Sequence, residues 1–279
     1  MNASTSIDWI TASTAQLREP NEVLPAAQWG KVEHGILHYQ CQKICSDSAA
    51  RFLWSPDIAG RGSCCILGGS ALAFFRTFAQ LAPDTLIPHL SRLGFLATRI
   101  DCALDLYESK LSVRQIYDQI MSGAISVPTR KITLITAHAG SMTGETLYCG
   151  SRESERYLRI YDKGLEQNSA LPGEWIRIEL EIKGKRAKSA WQMALDTNEA
   201  TLVASELSAF VTTQQQWWEL ALAGQYALPL SMHSRPISSR RKWLLGQVSM
   251  ALANELREDP HFWETLRVSV DDLVINSRM

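Results

Sequence analysis

The chain has 279 residues, 46% of them apolar and 20% charged, enough to bury a core as one large domain or two small ones and unlike a disordered or fibrous composition. Lys and Arg number 28 against 29 Asp and Glu, a formal charge of -1, so no global field attracts a polyanion and any nucleic-acid contact must use local patches. Apolar runs stop well short of 18 residues and MNASTSIDWITAS lacks a basic leader, so a cytoplasmic protein without a membrane span is expected.

In chain order, residues 7–12 (IDWITA) read as a first strand and LREPNEVLPAAQWG as a proline-punctuated connection before a helix over about residues 26–45. His34 and His38 stand four apart, a ligand spacing on a helix, but HGILHYQ equally reads as a weak strand and no HExxH surrounds them. They are expected in the core or on the surface. Residues 51–54 and CCILGG read as strands flanking the turn PDIAGRGS, and ALAFFRTFAQLAP as a helix ending near Pro83. The glycines at 60, 62, 68 and 69 fit neither GxxxxGK[ST] nor GxGxxG, so ordinary turns are expected. Cysteines at 41, 45, 64, 65, 102 and 149 lack the paired spacing of a zinc site and are expected as reduced thiols.

FLATRIDCALDLY (95–107) alternates like a half-buried strand and LSVRQIYDQIMSG follows as an amphipathic helix. After VPTRKITLIT come a glycine turn at 140–144, the strand ETLYCG, the turn SRESE and the strands RYLRIYDK and EWIRIELEIKG. From about residue 186 the pattern becomes helical, through AKSAWQMALD and NEATLVASELSAFVTTQQQWWELAL. SMHSRPISSR reads as a linker and residues 241–257 as a last helix.

Side chains alternate across a strand, so Arg99, Asp101, Ala103 and Asp105 share one face while Ile100, Cys102 and Leu104 share the other. The same arithmetic groups Arg177, Glu179, Glu181 and Lys183, and again Tyr157, Arg159, Tyr161 and Lys163. Carboxylates can hold Mg²⁺ or Mn²⁺, guanidiniums can neutralise phosphate oxygens, and a tyrosine beside them can act as a covalent nucleophile. A solvated sheet face with cross-strand ion pairs has the same pattern. Basic patches lie at KGKRAK (183–188) and at Arg152, Arg156, Arg159 and Lys163. Tryptophans 175, 191, 217, 218, 243 and 263 are expected mainly in packing roles.

TRIDCALD, TLYCGSRESERYLRIYDKGLE and WIRIELEIKG, in that order, resemble the replication initiation factor family of rolling-circle plasmids and filamentous phages, with its related conjugative relaxases. The resemblance implies an α+β fold, an antiparallel-sheet nuclease core covered by helices, here as an initiator nuclease domain over 1–230 and a helical segment over 231–279. It implies a nickase that opens one strand of a double-stranded origin at a locally single-stranded site, leaving a 5′-phosphotyrosyl link and a free 3′-hydroxyl. A host helicase and polymerase are the implied partners, and a homodimer is common among origin-binding members. By resemblance Tyr161 is the nucleophile, with Tyr157 its rival and Tyr148 structural, and Arg159 and Lys163 flank the phosphate. Asp101 and Glu179 are the implied ligands of Mg²⁺ or Mn²⁺, Glu181 a third, and Asp105 a candidate. Arg152, Arg156, Lys183, Lys185, Arg186 and Lys188 are implied DNA contacts, and Glu166 a base or a partner of Lys163. The His-hydrophobe-His metal motif of many rolling-circle nucleases is absent from the chain, and His138 reads as a turn residue. The alternative is a non-enzymatic origin-binding or regulatory protein.

Overall fold

The computed structural model describes residues 2–136, 144–167 and 174–223. The expected helical segment at 231–279, its boundary, His138, Trp243 and Trp263 lie outside the described residues. Ten strands form one antiparallel sheet in the order β2 (Glu33–His34), β3 (Cys41–Ile44), β4 (Arg51–Trp54), β5 (Ser63–Leu67), β1 (Asn2–Thr14), β6 (Leu96–Tyr107), β11 (Trp175–Lys183), β10 (Arg156–Asp162), β9 (Thr146–Cys149) and β8 (Ile132–Ile135). A two-stranded ribbon joins β7 (Ile125–Ser126) to β12 (Thr212–Thr213). The helices are α1 (Pro20–Val23), α2 (Gly69–Phe78), α3 (Pro83–Arg92), α4 (Val113–Met121), α5 (Lys163–Glu166), α6 (Gly184–Asp196), α7 (Glu199–Ser208) and α8 (Gln216–Leu222). This is the expected α+β class, an antiparallel core flanked by helices. No helix among the described residues is long and apolar enough to cross a membrane.

The apolar faces of β6, β11 and β10 bury Ile100, Cys102, Leu104, Ile178, Leu180, Ile182, Leu158 and Ile160. Helix α6 packs on β6 and β11, α7 on β1 and β6, and α4 on β9 and β10. Their apolar stripes account for this: Ala187, Ala190, Trp191 and Ala194 recur at three- to four-residue spacing on α6. Ser112 closes a capping box with Gln115 at the start of α4, and the Asn198 side chain accepts from the Thr201 N–H at 2.8 Å at the start of α7. Gly184 turns β11 into α6 at φ +61°, where a Cβ would come within 2.9 Å of Glu155 Oε1.

Several elements differ from the sequence-based expectation. Residues 26–45 form no helix; β2 and β3 make a hairpin whose turn carries Leu37 and His38 at φ 52° and 64°, and His34 pairs with Cys41. His34 and His38 therefore share no helical face. The segment between α2 and β6 folds as a separate α3, started by Pro83 at its N-terminus. The run expected as one helix over residues 198–222 breaks at Phe210–Gln215, where β-branched Thr212 and Thr213 form β12 against β7. The basic patch KGKRAK spans the end of β11 and the opening of α6. All six cysteines are free thiols, five of them buried.

Candidate active site

Strands β6, β11 and β10 are neighbours, so their alternating polar residues stand in three cross-strand rows on one sheet face. Asp101 lies opposite Glu181 and Glu181 opposite Tyr157; Ala103 opposite Glu179 and Glu179 opposite Arg159; Asp105 opposite Arg177 and Arg177 opposite Tyr161. Asp101 is 1% exposed, Glu179 2% and Tyr161 8%. These rows are thus buried, which a merely solvated sheet face does not produce.

Tyr161 occupies the end of β10. Its hydroxyl donates to Glu179 Oε2 at 3.0 Å, and the other Glu179 oxygen accepts from Arg159. The Arg159 guanidinium lies 5.6 Å from the Tyr161 ring centroid and Lys163 Nζ 5.5 Å from it. Lys163 has left the strand to begin α5, where it pairs with Glu166, and the Asp162 side chain caps that turn by accepting from the Leu165 N–H at 2.9 Å. Burial and the Glu179 carboxylate raise the phenol of Tyr161 well above its ordinary value, so the hydroxyl rests protonated.

Asp101 accepts two hydrogen bonds from Arg99, at 2.8 and 2.6 Å, and Arg99 also reaches Glu181 at 2.9 Å while lying 4.8 Å above the Trp9 ring. Burial pushes the Asp101 carboxyl up to about 7 in spite of Arg99, and the nearby Glu179 and Glu181 charges push the same way. Glu181 also pairs with Lys183 at 2.8 Å. Among the described residues no group of three or more His, Cys, Asp or Glu forms a ready metal cluster. The donor set fits a hard divalent cation in chemistry: carboxylate oxygens only, with Asp101, Glu179 and Glu181 grouped around Ala103 by the strand register. Guanidiniums now supply the counter-charge.

Asp105 is taken up elsewhere. Arg177 donates to both of its oxygens at 2.7 Å and the Trp175 indole N–H adds a third bond at 2.7 Å. These three bonds build Asp105 into a buried strut with Arg177 and Trp175. A register shift between Ile7 and Trp9 leaves Asp8 as an extra residue, which reaches Arg177 at 2.8 Å. The sequence reading gave no role to Arg99, Arg177, Trp9 or Asp8; the alternation that grouped Arg99 and Arg177 with the carboxylates was the available signal.

Tyr157 faces the same way as Tyr161 but stacks on Tyr148, centroids 5.6 Å apart and planes at 11°. The basic residues do not form one patch. Arg152 is exposed in the turn between β9 and β10, and its carbonyl accepts from Lys183. Arg156 points to the helix-covered face, donating to the Ala209 carbonyl at 3.2 Å with its guanidinium 5.0 Å from the Phe210 ring centroid. Lys185 and Lys188 are exposed and Arg186 half-buried in the first turns of α6.

The profile of the replication initiation factor family matches residues 96–258, more than half of the chain. A Bacillus subtilis (strain 168) protein with the provisional name DNA relaxase NicK is 26% identical over 242 residues, covering 77% of this chain and 68% of that protein. Among solved structures, a rolling circle replication initiator protein from Geobacillus stearothermophilus shares the fold, with a TM-score of 0.67, 17% identity, and coverage of 82% of this chain and 99% of that one.

Proposed function

The chain belongs to the replication initiation factor family, and from that membership we propose that it nicks one strand of a double-stranded origin to start rolling-circle replication, with Tyr161 as nucleophile. The observation that carries the proposal is the hydrogen bond from the buried Tyr161 hydroxyl to Glu179, flanked by Arg159 and Lys163. A phenol raised above its ordinary value does not attack unaided, so its proton must leave as the bond forms. Glu179 is the acceptor in reach. The Tyr161 oxygen then bonds to phosphorus, the P–O3′ bond breaks, and the departing 3′-oxygen takes up a proton, leaving a 5′-phosphotyrosyl link and a free 3′-hydroxyl. Arg159 and Lys163 neutralise the charge that gathers on the phosphate oxygens.

Asp101, Glu179 and Glu181 are the residues that would hold Mg²⁺ or Mn²⁺. A bound divalent ion supplies Lewis-acid polarisation of the phosphate. Lys183 and Arg152 border the same face and are assigned to the DNA backbone. Lys185, Arg186 and Lys188 would contact duplex flanking the nick from α6. Positive side chains there oppose the helix dipole by a few tenths of a kcal/mol each, a cost that an anionic partner removes.

Incubation with supercoiled DNA carrying the cognate origin, with and without Mg²⁺ or Mn²⁺, tests the assignment. The unchanged protein should form a denaturation-resistant DNA adduct and Tyr161→Phe none; an adduct on the Phe protein would reject Tyr161. A non-enzymatic origin-binding role is the second reading, favoured by the guanidinium on each of Asp101, Glu179 and Glu181. Specific origin binding without metal-dependent cleavage would establish it.

A further inference from the structure

We propose that the cleft beside the Tyr148–Tyr157 pair holds an unpaired base of single-stranded DNA next to the nick. This deepens the nicking reading and rests on it for the identity of the strand. The cleft, about 400 Å³, is lined by Tyr148, Tyr157, Thr133, Lys131 and Arg152 at the edge of the sheet formed by β8 and β9. Its size is that of a small-ligand site.

Three features select a base and its backbone. The two phenol rings stack on each other at 11°, with Tyr157 buried and Tyr148 half-buried in the cleft lining, so Tyr148, backed by Tyr157, supplies the aromatic surface of the kind on which bases stack regardless of sequence. Lys131 and Arg152 bring cations to the rim, where a strand's phosphates would run. Glu153, also at the rim, is held by the Ser151 hydroxyl. Tyr157 precedes Tyr161 by four residues on β10 and faces the same side, so the platform stands about 13 Å from the nucleophile along the strand. A strand whose phosphate meets Tyr161 therefore passes the platform within a few nucleotides. Duplex DNA offers no free base face to stack, and this confines the site to the melted part of the origin. Tyr157, engaged in stacking, is a substrate-binding residue on this assignment and not a second nucleophile.

The test uses the full chain without divalent metal, so that binding is read apart from nicking. Fluorescence anisotropy with a fluorescein-labelled (dT)20 should show Tyr148→Leu and Tyr157→Leu binding roughly 5- to 150-fold more weakly, with Tyr148→Phe and Tyr157→Phe close to the unchanged protein. The slope of log Kd against log salt should not change, since no phosphate contact is removed. Leu variants of native circular dichroism that bind (dT)20 as tightly as the unchanged protein would overturn the proposal, as would an equal loss on a 20-base-pair duplex. Should the Leu variants fail to fold, the unchanged protein decides the matter: photocrosslinking to (dT)20 carrying 5-iododeoxyuridine should label Tyr148 or Tyr157, and labelling elsewhere alone would reject the site. Absence of any adduct from the unchanged protein on supercoiled origin DNA would overturn the nicking reading alone, and an adduct on Tyr161→Phe only its choice of nucleophile.

Discussion

Arg177→Met tests the buried strut beneath the candidate nucleophile. Arg177 and Asp105 have side chains 9% and 5% exposed and share two hydrogen bonds of 2.7 Å, whereas Asp8, the other partner, is 27% exposed. The substitution leaves the Asp105 charge in the sheet with only the Trp175 N–H for compensation. Breaking such a buried pair costs about 3–5 kcal/mol, while the more exposed Asp8 contact adds no more than about 1 kcal/mol. For a chain of this size that predicts a midpoint about 10 °C lower by calorimetry or circular dichroism at pH 7. Arg177→Met with Asp105→Asn removes the orphaned charge, keeps an acceptor for Trp175, and should recover at least half of the loss. A single substitution costing under about 1 kcal/mol, or a double one as unstable as the sum of its parts, would refute the reasoning.

Asp101→Asn and Glu179→Gln should each raise the Mn²⁺ concentration for half-maximal nicking at least tenfold, and a chelator should abolish cleavage by the unchanged protein; an unaltered metal titration would reject both as ligands. Glu206 on α7 is buried with one oxygen unpartnered, and burial raises its carboxyl above 4.5 against the pull of Arg186 and Arg156. The folded state thus holds that proton more tightly than the unfolded state, so stability from this group is complete below the unfolded value and falls as pH rises through the folded one. Glu206→Gln should accordingly gain in melting temperature relative to the unchanged protein between pH 4 and pH 7, and parallel pH profiles would contradict this. Arg152→Ala should lower the salt slope of single-stranded DNA binding by about 0.7, whereas Arg156→Ala should leave it unchanged, because Arg156 faces the helices. Equal slopes for the two variants would refute the division between faces.

The polar groupings were legible because a strand has a two-residue period: once RIDCALD, RYLRIYD and WIRIELEIK read as strands, Asp101 shares a face with Arg99 and Asp105, Tyr161 with Tyr157 and Arg159, and Glu179 with Arg177 and Glu181. What alternation cannot give is which strands are neighbours, and that adjacency is what ties Asp105 to Arg177 and Glu179 to Arg159. Asp101 and Asp105 look equivalent along β6; only the partners across the sheet separate a candidate ligand from a strut. The hairpin at residues 33–44 was hidden because the positive-φ positions of its turn are filled by Leu37 and His38, residues that do not announce that conformation as glycine would. The break before α8 was hidden for another reason: Thr212 and Thr213 find their strand partner at β7, more than eighty residues earlier.

The strand order has a further consequence for how the chain reaches its fold. The two central strands, β1 and β6, are paired to each other across some ninety residues, and β6 then waits about seventy more for β11. Every carboxylate row therefore closes late, after long loops have been brought together, so folding should be slow for the size of the domain and should lack a stable N-terminal half. During synthesis β1 emerges with both of its edges open, its neighbours still unmade. That interval, more than the finished molecule, is where the protein is exposed to aggregation and where chaperones have most to protect.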